Sequence, residues 1–110
     1  MSTIFEKIIS GEIPCDRVIE TKNVLAFRDI HPQAPVHVLI IPKKTITSLA
    51  NIQNEDQEVL GEMMLVAQQI AKQEGLESFR LVTNSGSEAG QEIFHLHFHL
   101  LGGRPLGRLG

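Results

Sequence analysis

The feature that most constrains the fold is the stretch from Ile93 to Leu101, IFHLHFHLL, in which apolar residues and histidines alternate. Because successive side chains of a β-strand point to opposite sides, this period of two predicts a strand. The apolar face would consist of Phe94, Leu96, Phe98 and Leu100, and the opposite face of His95, His97, His99 and Leu101. We expect a helix on the apolar face. Three imidazoles buried side by side would each need a hydrogen-bond partner, so the histidine face is expected to meet something polar and not the core.

The rest of the chain predicts four more strands and two helices. Runs rich in β-branched and apolar residues predict strands at 17–21, 24–30, 36–42 and 79–84. Thr3 and Glu6 have the spacing of a capping box, which predicts a short helix over residues 4–10. Apolar residues at helical spacing predict one long helix from Asn54 to about Glu74. The expected fold class is α+β, with a five-stranded antiparallel sheet.

Length and charge narrow the function further. The 110 residues suit a single domain, residues 1–110. The net charge is −3 and the ten Lys and Arg residues are scattered, so we expect no nucleic acid polymer as a partner. No apolar run approaches the roughly 18 residues that span a bilayer, and no basic leader precedes the apolar N-terminal residues, so we expect no membrane partner and a cytoplasmic location. Cys15 is the one cysteine, and it is interpreted as a small filler residue.

Two kinds of chemistry suit the histidine face. A metal is one, although His95 and His99 would lie roughly 13 Å apart along a strand, so only a neighbouring pair could share an ion. His37 and an acid such as Asp29 or Glu92 would complete such a site. The other is nucleophilic attack on phosphorus, because a neutral imidazole is a good nucleophile near pH 7 when a partner fixes its tautomer.

A glycine-bearing loop comes directly before the histidines. The segment NSGSEAGQE contains Asn84, Gly86 and Gly90, and we expect its backbone N–H groups to approach an anionic oxygen where a Cβ would block it. Such loops are usually plain turns, but the position of this one favours a phosphate site beside a nucleophile.

At these residues the chain resembles a known family. HLHFHLL, residues 95–101, has the pattern of the histidine triad family, and the similarity to its Hint branch extends over three separate blocks. These blocks are TIFEKIISGEIP, AFRDIHPQAPVHVLIIPK and AGQEIFHLHFHLLGGRP, with Ala89 at a position where the family has glycine. The resemblance implies a purine nucleoside phosphoramidase that also acts on aminoacyl adenylates, uses no metal or other cofactor, and forms a homodimer with one continuous sheet.

The resemblance also assigns roles to individual residues. His97 would be the nucleophile that forms a nucleotidyl-histidine intermediate and releases AMP. His99 would contact the phosphate and the bridging atom, His95 would orient the nucleophile through its carbonyl group, and His37 would complete the cluster. The implied phosphate contacts are Asn84, Gly90 and Gln91, and the implied ribose and base contacts are Asp29 and Ile30. The implied walls of the purine slot are Ile4, Phe5, Ile8, Phe27 and Leu39.

Two positions depart from the common pattern of the family. Glu92 stands where many members have serine, next to the scissile bridge, and His31 also stands where serine is common. Glu92 would either stabilise the departing amine or lie solvated at the entrance. Two other functions stay open from the sequence: a dinucleoside polyphosphate hydrolase of the Fhit branch, and a nucleotide-binding regulatory module.

Overall fold

The computed structural model describes residues 2–110 and confirms the predicted α+β class. Five antiparallel strands form one sheet in the order β1-β2-β3-β5-β4. The strands are β1 (Arg17–Glu20), β2 (Val24–Arg28), β3 (Val36–Pro42), β4 (Phe79–Val82) and β5 (Phe98–Gly102). The helices are α1 (Ile4–Ile9) and α2 (Gln57–Gln73), and α2 connects β3 to β4.

Helix α1 begins with the predicted capping box. The backbone N–H of Glu6 donates to the Thr3 hydroxyl at 3.2 Å, and the N–H of Thr3 donates to the Glu6 carboxylate at 3.0 Å. These bonds satisfy amide groups that have no partner within the helix. The helix ends just before Gly11, whose φ of 85° suits a residue without a Cβ. Phe5 and Ile8 are buried on its inner side.

Helix α2 starts three residues later than predicted. A 3-10 turn at Asn54–Asp56 precedes it, and the Asp56 carboxylate accepts from the Gln53 amide at 2.8 Å and from Lys44 Nζ at 2.6 Å. These contacts lower the pKa of Asp56, with the Lys44 hydrogen bond as the largest cause. Asp56 therefore stabilises the 3-10 turn, and the α-helix itself begins at Gln57 and not at Asn54. No helix within residues 2–110 is both long and apolar enough to cross a membrane.

Both faces of the sheet are covered, each by one helix. The larger cluster joins α2 to one face, and its members include Ala26, Ile40, Leu100, Met63 and Ile70. The second cluster joins α1 to the other face and consists of Phe5, Ile8, Leu25, Phe27, Leu39 and Ile41. Neighbouring residues of β2 and β3 thus belong to different clusters, as the alternation of side chains in a strand requires.

The prediction of a strand over residues 93–101 is only partly right. β5 begins at Phe98, which pairs with Ile40, and residues 93–97 form no ladder with β3. The ladder stops because the Pro42 carbonyl group bonds to the His95 ring at 2.8 Å, and proline has no N–H to offer a partner strand. Instead, the Leu96 amide donates to the Ile46 carbonyl at 2.6 Å.

This late start of β5 changes the two predicted faces. Leu96, Phe98 and Leu100 pack in the cluster with α2, as expected, but Phe94 is 45% exposed. The histidines are not excluded from the interior either: His95 and His97 are 0% and 7% exposed. The expectation that the histidines would stay out of the interior was wrong for His95 and His97, because backbone carbonyl groups accept hydrogen bonds from their rings.

Candidate active site

A cavity of about 460 Å³ opens between α1, the ends of β2 and β3, and the segment that leads into β5. This size lies within the usual range for a small-molecule site, roughly 300–1,000 Å³. Most of the predicted site residues line it: Ile4, Phe5, Ile8, Phe27, Asp29, Ile30, His37, Leu39, Asn84, Gly90, Glu92, His97 and His99. His95 and Gln91 are not part of the lining. The tertiary structure therefore brings together residues from five separate parts of the sequence.

The protonation pattern of His97 follows from its hydrogen bond. Its Nδ1 lies 2.7 Å from the His95 carbonyl oxygen, which can only accept, so Nδ1 carries the proton. A neutral ring then keeps a lone pair on Nε2. Burial lowers the pKa of His97, which keeps the ring neutral at pH 7. The Phe5 ring packs edge-on against the imidazole with centroids 5.0 Å apart and restricts its rotation. The arrangement therefore presents an oriented, unprotonated nitrogen.

In His99 the proton is expected on the other ring nitrogen, Nε2. Its position is set by two further groups, the Gln33 amide and the His37 ring. The Gln33 amide donates to His37 Nδ1 at 3.0 Å, so the proton of the neutral His37 ring is on Nε2. That Nε2 lies 2.9 Å from His99 Nδ1 and donates to it. The remaining nitrogen of His99, Nε2, therefore carries a proton. Burial, followed by the neighbouring histidines His97 and His37, lowers the pKa of His99 to about 4.

Asp29 completes this side of the cavity. One carboxylate oxygen accepts from the His31 amide at 2.8 Å, and the other lies 3.4 Å from His37 Nε2. Burial lowers the pKa of His37 and outweighs the nearby Asp29 charge, which acts in the opposite direction. The second oxygen of Asp29 has acceptor capacity left for a ligand hydroxyl group.

Asp29, His37 and His99 also have the spacing of a metal site, with ligand atoms within 4.8 Å of one another. The hydrogen bonds argue against that use. The Gln33 amide occupies the lone pair of His37 Nδ1, so His37 Nε2 is protonated and has none for an ion. His99 Nδ1 in turn accepts from His37. The donor set thus fits a proton-bearing relay better than the metal site considered from the sequence.

His95 lies behind the cavity. Its Nε2 donates to the Pro42 carbonyl group at 2.8 Å, while its Nδ1 is buried without a partner among the residues that the structure describes. Its own carbonyl group orients His97. His95 therefore acts on the cavity only through the backbone and the ring of its neighbour.

The glycine-bearing loop uses several of its own amides. The N–H groups of Gly90 and Gln91 donate to the carbonyl groups of Ser87 and Gly86, and the N–H of Gly86 donates to the Gln91 side chain at 2.9 Å. The expectation that the amides of Gly86 and Gly90 are free for an anion was wrong for this reason. Glu92 and Ile93 line the cavity, and their backbone amides have no hydrogen-bond partner within residues 2–110.

Gln91 stabilises this loop through its side chain. Its side chain is buried and donates to the carbonyl groups of Thr47 at 2.8 Å and Ile93 at 3.1 Å. With its Oε1 bonded to Gly86, both ends of the side-chain amide are in use. The side chain of Asn84, in contrast, lies beside Gly90 at the cavity wall, and its amide group has no hydrogen-bond partner within residues 2–110.

Sequence reasoning did not single out Gln33, Pro42 or Thr83. Gln33 acts through its backbone amide and Pro42 through its carbonyl group. Every residue has a carbonyl group and every residue but proline has an amide N–H, so the identities of these two residues carry no signal. The Thr83 hydroxyl donates to the His97 carbonyl group at 2.8 Å, just beyond the end of β4. Its position before Asn84 was the one available hint.

Fold and site together define a histidine triad protein: in an antiparallel sheet, β5 and the segment before it carry the alternating imidazoles, and His97 and His99 lie at the wall of a cavity. The family model described as the HIT domain matches residues 10–106. The chain therefore belongs to the HIT family, and it is a hydrolase of that family.

Individual relatives agree with this assignment. The chain is 51% identical over 107 residues to a protein of Escherichia coli K12 named purine nucleoside phosphoramidase. The aligned region covers 96% of this chain and 90% of the relative. A HIT family hydrolase from Legionella pneumophila superposes with a TM-score of 0.94 at 49% identity, with 96% of each chain covered. A histidine triad protein from Clostridium difficile superposes with the same TM-score of 0.94 at 42% identity and covers 100% of this chain and 97% of its own.

Proposed function

We propose that the chain is a purine nucleoside phosphoramidase, which cleaves the P–N bond of AMP-amine conjugates and acts on aminoacyl adenylates. The observation that carries the proposal is the opposite protonation of two neighbouring rings. His97 offers a lone pair and His99 offers an N–H, and their centroids are 5.0 Å apart. The name of the E. coli relative supports the same activity.

In the proposed first step, His97 Nε2 attacks the α-phosphorus. A bond forms between Nε2 and phosphorus, the P–N bond breaks, and its electron pair leaves with the amine nitrogen, which takes up a proton. The N–H of His99 is the fixed donor for the bridging atom and the phosphoryl oxygen. In the second step, water attacks phosphorus and gives up a proton to solvent, the electron pair of the bond to phosphorus returns to Nε2, and AMP is released. Two displacements with good leaving groups thus replace one difficult hydrolysis.

The ligand would lie across the cavity from loop to apolar slot. The amides of Glu92 and Ile93 and the side chain of Asn84 support phosphate binding at one end, where a preorganised donor stabilises developing charge. The free oxygen of Asp29 suits the ribose hydroxyl groups. Apolar side chains at the other end suit a purine base: Ile4, Phe5, Ile8, Phe27, Ile30 and Leu39. In this arrangement Gln91 stabilises the glycine-bearing loop and does not itself touch phosphate.

The charges around the cavity favour a phosphoramidate over a dinucleoside polyphosphate. Arg28 is the one Lys or Arg residue among the lining residues, and it is already paired with Glu74 at 2.8 Å and with Asp16 at 3.8 Å. Two carboxylates, Asp29 and Glu92, also line the cavity. A triphosphate bridge with several negative charges would find no unpaired cation here, whereas a single phosphate needs only the neutral donors described above.

We further propose that the protein is a homodimer. β4 is an edge of the sheet, and its outer backbone groups have no partner strand within residues 2–110. Phe79 on this strand is 44% exposed, and Leu65 on α2 is 62% exposed. Pairing of β4 with its copy would satisfy the edge and cover apolar surface. Light scattering tests this proposal. The cytoplasmic location and the absence of nucleic acid and membrane partners stay predictions.

The test of the activity is a search for the covalent intermediate. The native protein is incubated with an adenosine phosphoramidate in the presence of a chelator, quenched during turnover and digested. We expect one added AMP on the peptide that contains His97, and neither adduct nor hydrolysis in His97→Ala. Loss of activity with the chelator, or hydrolysis by His97→Ala at the native rate, would refute the proposal. Faster cleavage of diadenosine triphosphate than of the phosphoramidate would favour the polyphosphate hydrolase instead.

A further inference from the structure

The loop that joins β2 to β3 contacts His37, which is hydrogen-bonded to His99. We call His37 and His99 the histidine pair. The Gln33 amide of the loop donates to His37 Nδ1 at 3.0 Å, and the Asp29 carboxylate of the loop lies 3.4 Å from His37 Nε2. If the Gln33 amide moves away, His37 Nδ1 can carry the proton itself, and only the longer Asp29 contact then favours the proton on Nε2. With the proton on Nδ1, His99 Nδ1 loses its donor. The ring of His99 is then free to present a lone pair instead of an N–H to the cavity. The exposed residue Gln33 therefore needs a support of its own.

That support comes from the residues that follow β5. Arg104 Nη2 donates to the Gln33 carbonyl group at 2.7 Å, and Nη1 of the same guanidinium donates to the Pro105 carbonyl group at 2.7 Å. The two bonds hold the planar group in one orientation, with one nitrogen on the loop.

Gly103 makes a second, independent contact with the same loop. Val36 pairs with Gly102, so residue 103 lies beside Pro35. A Cβ built on Gly103 would be 2.9 Å from Pro35 Cβ, and its φ of 96° is one that side chains rarely adopt. The backbone here approaches the loop as closely as only glycine allows.

We propose that Gly103 and Arg104, which we call the loop brace, are positioning residues for the reaction. The loop brace fixes the Gln33 amide on His37, and through His37 it sets which nitrogen of His99 carries the proton. The catalytic consequence rests on the proposed function, in which His99 must donate. The protonation pattern itself does not depend on any substrate, so it can be tested on the free protein.

The experiment compares Arg104→Ala and Gly103→Ala with two controls. Arg104→Lys keeps a charged donor for the Gln33 carbonyl group. Arg108→Ala removes an exposed arginine from the same tail, which has no hydrogen bond or ion pair within the described residues. Folding of each variant is checked by urea unfolding. Imidazole nitrogen chemical shifts are then recorded by NMR at pH 7.5, and kcat and KM are measured with an adenosine phosphoramidate.

In the native protein we expect the proton of both His37 and His99 on Nε2. In Arg104→Ala and Gly103→Ala we expect averaged shifts for both rings. Loss of one hydrogen bond of ordinary strength lowers the ratio of the competent state to the others by about fivefold, so kcat should fall by at most about fivefold while KM changes less. Arg104→Lys should recover most of the native pattern, and Arg108→Ala should match the native protein in every measurement.

Native ring shifts in both Arg104→Ala and Gly103→Ala would overturn the proposal, whatever the activity does. Averaged shifts with an unchanged kcat would support the loop brace and would instead contradict the role of His99 in the proposed function. The two proposals therefore fail on different observations.

Discussion

Acid should destabilise this protein well above the pH at which carboxylates titrate, and His99 should account for much of the effect. The pKa of His99 falls from 6.5 to about 4 on folding, because its ring is partly buried beside two other histidines. Between these values the unfolded chain binds a proton that the folded chain does not. The free energy of unfolding therefore falls as the pH is lowered through 6.5 towards 4.

The size of this effect follows from the two pKa values. Integrating the difference in bound protons from pH 7 to pH 5 gives a loss of about 2 kcal/mol from His99 alone. His37 and His97, whose pKa values burial also lowers, add to the loss with the same sign. Stopping at pH 5 keeps most Asp and Glu side chains ionised in both states, so their contribution stays small.

The assay is urea unfolding followed by circular dichroism at pH 7, 6 and 5, at one fixed protein concentration. For the native protein we expect the midpoint to fall by about 1–2 M urea over this range. His99→Asn should lose about 2 kcal/mol less than the native protein on acidification. His31→Asn, which removes an exposed histidine of the β2–β3 loop, should keep the full loss. If the free energy of unfolding falls by the same amount in His99→Asn and in the native protein between pH 7 and pH 5, the assignment of this effect to His99 is wrong.

Three further predictions concern the core, the loop and the pH dependence of the reaction. Leu100→Ala, at a fully buried position, should lower the free energy of unfolding by about 3 kcal/mol in urea, whereas Leu109→Ala, 83% exposed, should change it by less than about 0.5 kcal/mol. Gly90→Ala and Gly107→Ala both place a side chain at a positive φ, 102° and 74°, at a cost of about 1–2 kcal/mol each. Only Gly90→Ala, at the cavity wall, should also reduce phosphoramidate hydrolysis; equal activity of the two variants would contradict the phosphate role of the loop. Because burial lowers the pKa of His97, kcat/KM should stay level from pH 8 to about 6.5 and decline only in more acidic solution, and a decline that begins above pH 7 would show that this ring is not the titrating nucleophile.

Much of the fold was predictable because its signals are local. The capping box at Thr3 and Glu6, the helical spacing of α2 and the run that forms β3 all depend on residues close in sequence, and each element formed where its pattern lies. The start of β5 was mispredicted because the alternation already begins at residue 93, whereas pairing with β3 begins only at Phe98. A strand needs a neighbour, and whether one is present is not a local property.

The candidate site shows the same division. The sequence by itself determined which side chains would meet, through the alternating histidines and the resemblance of three separate blocks to one family. Only the tertiary structure decided what each imidazole can do. The proton of His95 is placed by the Pro42 carbonyl group, that of His97 by the His95 carbonyl group, and those of His37 and His99 by the Gln33 amide. The amino-acid sequence does not encode these partners as residue types, because every residue carries a carbonyl group and all but proline an amide. Their positions exist only once the sheet, the loop and the segment before β5 have packed together.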